Sequence, residues 1–318
     1  MHILKNTAVA RIIIYSVVVI LLIGVLLVGL FTDKIGFFGN FSFDFSGISY
    51  KNADLYKSGN VELSPDKISN LNINWISGSV KISTHAGDKI LVTEANSESF
   101  EDENKLHYYV NDSGTLYVQF AALRNFFSTI GWKEPSKNLS VLIPENRSDI
   151  IKSLKAKAVS ADIWVDKVTA QTIELEAVSG KITAESIGES DRISAQTVSG
   201  GINVNARTRK IDFETTSGDI RFDGQATDRI NSESVSGKVE IYLADTVDKV
   251  NIETISGSIS IALSENCGGF KARHESVSGS FRCEFPTTET DDDESVYSDG
   301  SADFRFETVS GSITIKKK

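Results

Sequence analysis

The most regular feature of the chain is a short alternation of apolar and polar residues on either side of a Ser-Gly pair. In the stretch VNIETISGSISIAL, Val250 to Leu263, apolar and polar residues alternate both before and after Ser256. A period of two is typical of a β-strand with one buried face. The stretch therefore predicts two short strands joined at a Ser-Gly turn.

Close copies of this unit recur along the chain. From Ser160 to Ser278 the serines follow one another at steps of 18 to 22 residues. A nearly fixed period of this length is the mark of a repeat architecture. Before the regular turns come Ser77, which is followed by Gly78, and Ser160, which is followed by Ala161 in place of the Gly. The predicted repeat turns are Ser179 and Gly180, Ser199 and Gly200, Ser217 and Gly218, Ser236 and Gly237, Ser256 and Gly257, Ser278 and Gly279, and Ser310 and Gly311.

Fixed positions around each Ser carry the same type of residue in every copy. The residues three and five positions after the Ser are apolar throughout, like Ile259 and Ile261 after Ser256. The residue two positions before the Ser is Ala, Ser or Thr in eight of nine copies, and Trp75 is the exception. Small residues there predict a crowded interior corner. The Gly predicts a backbone angle that other residues resist.

Two all-β architectures fit this pattern. In the first, each unit of about 20 residues is one coil of a β-solenoid, and equivalent strands stack in parallel about 4.8 Å apart. In the second, the Ser-Gly turns are hairpins of an antiparallel β-sandwich. A sandwich tolerates uneven loops and does not need to repeat its side chains position by position. The near-constant period therefore favours the β-solenoid.

Some segments depart from the period. Residues 70–152 contain β-like runs at irregular spacing and predict a β-rich capping segment ahead of the regular repeats at 153–318. An acidic insertion, residues 286–301, interrupts the last repeats. The chain ends in Lys316 to Lys318. Lys on a final strand is a common means of blocking a sheet edge, so we expect these residues at an edge.

The N-terminal region differs from the repeats. Residues 12–31 are a run of 20 residues without a charge. As a helix this run spans about 30 Å, the thickness of a bilayer's hydrocarbon core. Because Lys5 and Arg11 precede it, the positive-inside rule places residues 1–11 in the cytoplasm. We expect an uncleaved single-pass anchor in the cell membrane, a juxtamembrane segment at 32–69 and an extracytoplasmic C-terminal domain; a cleaved signal peptide is the alternative.

Charge and cysteine content narrow the function classes. The formal net charge of −10 argues against a general nucleic-acid binder, which needs a basic face. Cys267 and Cys283 form neither a disulfide framework nor a zinc-binding spacing. The strand register places Cys283 in a buried position and Cys267 in a Gly-rich turn. We therefore expect Cys283 to be the less accessible thiol.

Several motifs occur in a fixed order over roughly residues 70–318. LNINWISGSVKI, Leu71 to Ile82, is followed by a strand ending in Pro, LSVLIP, and then by serial Thr/Ala-Val-Ser-Gly units. This order resembles the bacterial putative-adhesin family of β-strand-repeat proteins, a domain of unknown function. With an N-terminal span, the chain is similar to the LiaG-like membrane-anchored members. The resemblance implies a link to the envelope stress response and supplies no catalytic residues.

Candidate catalytic and metal-binding motifs are weak. SPDK, Ser64 to Lys67, matches the S-x-x-K of serine acyl-enzymes but lacks the motifs that accompany it. None of the four His pairs at a metal or triad spacing, and His274 occupies an inward position that indicates a structural role. TDDDE, Thr290 to Glu294, with Asp299 could hold Ca²⁺, but the EF-hand spacing is absent and a solvated loop is the simpler interpretation. We predict no enzymatic activity, no cofactor and no metal.

The least expected feature is an acidic residue three positions before most of the serines. By alternation this position faces solvent, so stacked coils would bring the side chains into a ladder. Neighbouring charges about 4.8 Å apart repel by about 0.9 kcal/mol in water. Either the ladder attracts cations or cationic chains, or duplication copied solvent residues together with core residues. The ladder in chain order is Glu176, Gln196, Glu214, Glu233, Glu253, Glu275 and Glu307.

Together these features predict a membrane-anchored extracytoplasmic β-repeat protein with a non-catalytic, adhesin-like binding or scaffolding role in the cell envelope. One alternative is a sensor or accessory subunit that relays envelope stress to a membrane partner. Another is a polysaccharide-acting β-solenoid enzyme, which needs clustered acids, Arg or His in a cleft. The expected partners are the membrane, through residues 12–31, and a cationic peptide, a cation, or an envelope protein or polymer.

Overall fold

The structure, a computed structural model, describes residues 36–37, 41–42, 53–95, 97–121, 136–291 and 293–318. The predicted anchor at 12–31 lies outside them. No helix within these ranges is long and apolar enough to cross a membrane. The chain divides into two units, 1–54 and 55–318. In the first, β1 (Gly36–Phe37) pairs with β2 (Phe41–Ser42) in antiparallel fashion.

The second unit consists mainly of strands, so the all-β prediction is confirmed. Short 3-10 helices occur at Ala53–Leu55, Pro65–Lys67, Ser97–Ser99, Asp102–Asn104 and Glu145–Ile150. The strands are β3 (Lys57–Ser58), β4 (Val61–Leu63), β5 (Asn70–His85), β6 (Ile90–Glu94), β7 (His107–Val110), β8 (Thr115–Gln119), β9 (Lys137–Pro144), β10 (Ser153–Asp166), β11 (Thr172–Ser179), β12 (Ile182–Ser199), β13 (Ile202–Ser217), β14 (Ile220–Ser236), β15 (Val239–Leu243), β16 (Lys249–Ser256), β17 (Ile259–Leu263), β18 (Phe270–Ser278), β19 (Phe281–Cys283), β20 (Thr288–Asp291), β21 (Glu294–Tyr297), β22 (Ala302–Ser310) and β23 (Ile313–Lys317).

Each Ser-Gly pair forms a corner between two layers of strands. The strand segment before the Ser lies in what we call the front sheet, and the segment after the Gly lies in the back sheet. Both segments pair in parallel with the equivalent segments of the next coil, as Ser217 with Ser236 and Ile202 with Ile220. The two segments at a corner do not form a hairpin. This is the pairing of stacked coils, and it differs from the alternative of an antiparallel sandwich.

The two sheets share their long strands, which bend at the corners. The front sheet runs in the order β8, β5, β10, β11, β12, β13, β14, β16, β22, β18. The back sheet runs in the order β9, β5, β10, β12, β13, β14, β15, β17, β23, β19.

The core fills the space between the two sheets. The apolar residues three and five positions after the Ser point into it, and Ile220 and Phe222 are both 0% exposed. The small residue two positions before the Ser is also buried, except for Ser276 in the last layer. The Thr197 hydroxyl donates to the carbonyl oxygen of Gly180, 3.3 Å away in the preceding layer. The crowded interior corner predicted from the sequence is confirmed.

The corner glycines are required by the closeness of neighbouring layers. A Cβ atom on Gly237 would overlap the carbonyl oxygen of Gly218, and one on Gly218 would overlap that of Gly200. The φ angle is 151° at Gly218, but Gly200 does not have a positive φ. The close approach of the layers is therefore the main reason for Gly at these corners, and the backbone angle predicted from the sequence is the lesser reason. The same overlap recurs at Gly180, Gly200, Gly257, Gly279 and Gly311.

The order of the layers departs from the order of the chain at the C-terminal end. β22 pairs with β16 on one side and with β18 on the other, so it separates two strands that are consecutive in the repeat series. β22 buries Phe304 and Phe306 completely, whereas β18 carries His274 opposite Phe306. The more apolar coil thus occupies the layer that is covered on both sides, and the more polar coil forms the end.

The last residues of the chain extend past the strand that covers β23. β23 lies between β17 and β19 as far as Ile315, and beyond it Lys316 and Lys317 pair with β17 alone among the described strands. These two residues therefore lie at a local edge of the back sheet, as expected from the sequence. Within the acidic insertion, residues 286–301, β20 and β21 form an antiparallel hairpin. β21 pairs with β18 from Phe270 to Arg273 and covers that part of its outer edge.

The N-terminal end of the stack is closed by antiparallel strands. β7 and β3 extend the front sheet beyond β8, and β6 and β4 extend the back sheet beyond β9. Beneath them Lys137 Nζ lies 2.6 Å from Glu94 Oε1, with both side chains fully buried. Lys137 also donates to the carbonyl oxygen of Phe120, and the Trp75 indole N–H donates to the carbonyl oxygen of Lys137 at 3.0 Å. Trp75 departs from the small-residue pattern because it packs in this cap.

The exposure of the two cysteines is the reverse of the prediction. Cys267 is buried and Cys283 is half-buried. Cys283 has the predicted register, opposite Ile315, but its strand is the outermost of the back sheet and one side lacks a covering layer. Burial raises the pKa of both thiols. Both therefore favour the protonated, unreactive form at neutral pH.

Candidate functional site

The acidic ladder lies on the outward face of the front sheet, one member to a layer. Glu307 stands between Glu253 and Glu275, so the expectation from chain order that these two are neighbours is wrong. Glu176 is only 7% exposed, and there the predicted solvent-facing position fails. In stack order the ladder is Glu176, Gln196, Glu214, Glu233, Glu253, Glu307 and Glu275.

A row of aliphatic side chains runs beside the ladder, and we call it the aliphatic row. It is formed by the residue directly before each Ser, which alternation also places on the outward face. Most of its members are half-buried, and Val277 in the last layer is 57% exposed. In stack order it is Val178, Val198, Thr216, Val235, Ile255, Val309 and Val277. The face therefore presents charge and apolar surface side by side.

Two members of the ladder, Glu176 and Glu307, are neutralised by basic side chains. Lys157 Nζ lies 2.7 Å from a Glu176 carboxylate oxygen, and an Arg305 guanidinium nitrogen lies 2.6 Å from Glu307. Within the part of the chain that the structure describes, Glu214 and Glu233 form no ion pair. Uncompensated charge therefore remains in the middle of the ladder and, at Glu275, in its last layer.

The environment of these central carboxylates opposes their ionisation. Desolvation, together with the charge of Glu233, raises the pKa of Glu214 to about 7. Desolvation also raises the pKa of Glu233, with further contributions from Glu253 and Asp212. The side-chain amide of Asn251 donates a hydrogen bond to a Glu253 carboxylate oxygen at 3.1 Å. A cation bound over the ladder would relieve this repulsion and displace protons.

Sequence reasoning missed a basic row on the same face. It lies seven positions before the Ser, four residues from the ladder along each strand, or about 13 Å. The guanidinium of Arg192 lies 2.8 Å from Asp212, so its charge is compensated by a carboxylate outside the ladder. Alignment of the repeats on the Ser-Gly pair could have revealed this row, because the outward position seven residues before the Ser is basic in four consecutive units. The row is Arg192, Lys210, Arg229 and Lys249.

The remaining candidates show no assembled site. The half-buried His274 ring stacks on Phe281 with centroids 3.8 Å apart, a structural contact. Ser64 of the SPDK motif donates its hydroxyl to the Asp66 carboxylate at 2.9 Å. Glu294 of the acidic insertion is paired with Arg273 at 3.0 Å. Among the described residues, which leave out position 292, no group of three His, Cys, Asp or Glu is placed to hold a metal ion.

An open polar groove lies where the strands bulge between the back and front sheets. Glu189, Asp191, Arg207 and Arg209 line it. Arg209 is paired with Asp228 at 2.8 Å and with Asp191 at 3.8 Å. The groove combines acidic side chains with Arg, as a polysaccharide-acting enzyme would require. Asp191 and Arg209, however, form an ion pair with each other.

The family model described as Toastrack DUF4097 matches residues 68–316. The chain belongs to the Toastrack DUF4097 family. The match covers the stacked coils and most of the N-terminal cap. The resemblance to the putative-adhesin β-repeat family is thereby confirmed. No curated protein matches the chain.

Several solved structures are similar to this Toastrack DUF4097 chain. A putative adhesin from Bacteroides fragilis is 11% identical with a TM-score of 0.47, over 81% of this chain and 96% of that one. A putative cell adhesion protein from Clostridium sporogenes is 16% identical with a TM-score of 0.26, over 83% and 100%. A putative lipid binding protein from Parabacteroides distasonis is 15% identical with a TM-score of 0.44, over 83% and 96%.

The raised pKa of Glu214 predicts a dependence of stability on pH. The folded state holds a proton on Glu214 up to about pH 7, whereas the carboxyl group's ordinary pKa is 4.5. The stabilisation is therefore complete below about pH 4.5 and is lost as the pH rises through about 7. Glu214→Gln should reduce the fall in the free energy of unfolding across this window, measured by urea denaturation at each pH. The matched control is Glu265→Gln, in an exposed turn outside the ladder; equal slopes for Glu214→Gln and wild type would contradict the assignment.

Proposed function

We propose that the protein is a non-catalytic, adhesin-like binding module of the cell envelope that uses the outward face of its front sheet. The observation that carries the proposal is the continuous ladder of carboxylates beside the aliphatic row. In the central layers these carboxylates have no basic partner among the described residues. A repeating surface of this kind suits an extended ligand that also repeats, rather than a small substrate.

The chemistry of the face selects a cationic chain with apolar groups. From Glu233 to Glu275 in stack order, a ligand lying across the layers would meet a carboxylate and a Val or Ile about every 4.8 Å. Cations would bind the central ladder, and apolar groups would cover the half-exposed aliphatic row. Envelope peptides or polymers with amines at regular spacing have this chemistry. Simple divalent cations would use the carboxylates alone.

The proposal includes an anchor. Residues 12–31 hold the protein in the cell membrane, with residues 1–11 in the cytoplasm and the β-repeat domain outside. The support is the sequence of the N-terminal region, since these residues lie outside those the structure describes. The likeness to LiaG-like members supports a link to the envelope stress response.

Removal of the ladder charge should weaken the binding of a cationic ligand. The test variant carries Glu214→Gln, Glu233→Gln, Glu253→Gln and Glu307→Gln, which are consecutive in the stack. Its dissociation constant for an oligolysine peptide at low salt should rise at least tenfold, and the salt dependence should flatten, because fewer charges contribute. Wild-type affinity should also increase from pH 6 to 8 as Glu214 ionises.

A control variant with the same net charge as the test variant distinguishes an effect of the ladder from an effect of the overall charge. The control carries Glu62→Gln, Asp88→Asn, Glu189→Gln and Glu265→Gln, all at exposed positions scattered over the surface. It should bind the peptide like the wild type. If both variants weaken binding equally, the effect is one of net charge, and the ladder is a copied surface pattern without a binding role.

Topology can be tested on intact cells. Asp293→Cys introduces a thiol at an exposed position of the acidic insertion, in a background that also carries Cys267→Ser and Cys283→Ala. A membrane-impermeant thiol reagent should label this variant before lysis, because the domain lies outside the cytoplasm. Labelling only after lysis would overturn the membrane topology and the envelope role.

A further inference from the structure

The two ends of the stack differ in how they are covered. The N-terminal end carries antiparallel strands on both sheets. At the other end β21 pairs with β18 as far as Arg273, and the His274 N–H donates to the carbonyl oxygen of Asp293 at 2.9 Å. Among the described strands, none pairs with the outer edge of β18 beyond His274 or with the outer edge of β19. We call this edge, residues 275–283, the open end.

The open end presents unused backbone donors. In the inner layers the corner Gly donates its N–H to a Ser carbonyl of the next layer, as Gly311 does to Ser278 at 3.1 Å. Ile313 donates in the same way to Ser280 at 2.9 Å. Gly279 and Phe281 are the equivalent residues of the last layer, and their N–H groups point out of the stack. A sheet edge of this kind pairs readily with another strand.

The open end also leaves core positions partly exposed. Phe281 and Cys283 are half-buried, whereas Ile313 and Ile315 one layer below are 0% exposed. Val277 is 57% exposed. The outermost layer therefore combines unpaired strand edges with apolar surface, the two features that a strand-mediated interface would cover.

The sequence of the open end is complementary to itself. An antiparallel pairing about a two-fold axis at the Ser278–Gly279 corner sets β18 of one copy against β19 of a second. Glu275 of each copy then lies opposite Arg282 of the other, and both face outward. Glu275 has Glu307 as its neighbour in the layer below and no ion pair among the described residues, while the Arg282 side chain is 74% exposed and lies 3.6 Å from the Glu284 carboxylate of its own chain. Each would gain an opposite charge across the interface.

The directions of the side chains and the lengths of the two strands also fit this antiparallel register. An inward residue meets an inward residue, since Ser276 lies opposite Phe281. β19 has three residues, which is close to the length of the stretch of β18 from Glu275 to Ser278 that β21 and Asp293 leave uncovered. A head-to-tail stack is disfavoured, because the N-terminal end already carries its own antiparallel strands. The remaining solution is a closed dimer with two-fold symmetry.

We propose that two copies of this chain associate end to end through their open ends, with β18 of each pairing in antiparallel fashion with β19 of the other. β3, the first strand of the second unit, lies at the opposite end of the stack. The dimer therefore directs the two N-terminal sides of the domain away from each other. If the proposed membrane anchor holds, this is the geometry of contact between two facing membranes; dimer formation itself does not depend on the anchor.

Charge exchange tests the register. Glu275→Arg and Arg282→Glu each replace two attractive pairs by two repulsive ones, whereas the chain carrying both changes restores attraction. Sedimentation of the full chain in density-matched detergent should show a dimer for the wild type. The dissociation constant should rise at least tenfold for each single variant and return to within about threefold of wild type for the double variant, because opposite charges across a strand pair attract and like charges repel. Arg207→Glu, at an exposed position away from the open end, should leave the dimer unchanged.

Disulfide trapping gives a second measurement that does not rely on affinity. In a background with Cys267→Ser and Cys283→Ala, a mixture of Glu275→Cys and Arg282→Cys chains should form a crosslinked dimer on mild oxidation. Either variant alone should not, because equivalent residues of the two copies are far apart in this register. A monomeric wild type, a dimer unaffected by the charge changes, or equal crosslinking of one variant with itself would overturn the proposal. Association through the membrane span would be insensitive to both sets of variants.

Discussion

The contact between corner glycines of successive layers is the constraint on which the rest of the structure depends. At each corner that carries Gly, the backbone of one layer approaches the next so closely that a Cβ atom would overlap a carbonyl oxygen; the corner after Ser160, which carries Ala161, is the exception. The N–H of the corner Gly donates to the adjacent layer, as Gly218 does to Ser236 at 3.0 Å. This contact sets the register between coils. Every row of side chains on the front and back sheets follows from that register.

A fixed register places like side chains together whether or not their contact is favourable. In the core this is useful, since Ile stacks on Ile and each layer covers the apolar residues of the previous one. On the outward face it brings carboxylates together, and the pKa of Glu214 rises to about 7 as a result of burial and of Glu233. Lys157 and Arg305 compensate this repulsion at two positions, and the centre of the ladder remains uncompensated. That centre is the surface on which the proposed binding role rests.

Sequence periodicity was sufficient to predict the strands, the corners and the inward and outward faces, because each depends on residues within one unit. It was not sufficient to predict the order of layers. Which coil lies at the end depends on a comparison between coils: Phe304 and Phe306 in β22 gain more from burial between two layers than Ala272 and His274 do in β18. The half-exposure of Cys283 follows from that order and was predicted wrongly for the same reason.

The glycine contact can be tested most directly with two adjacent glycines, of which only the first lies against the carbonyl oxygen of the neighbouring corner. A Cβ atom on Gly200 would overlap the carbonyl oxygen of Gly180, whereas one on Gly201 would lie 3.4 Å from the carbonyl oxygen of Asp219, an ordinary contact. We predict that Gly200→Ala lowers the free energy of unfolding by about 2 kcal/mol or more, since the layers must separate to admit the methyl group. Gly201→Ala should be neutral, or stabilising by up to about 1 kcal/mol through the unfolded chain. Equal effects of the two substitutions in urea denaturation would contradict the account.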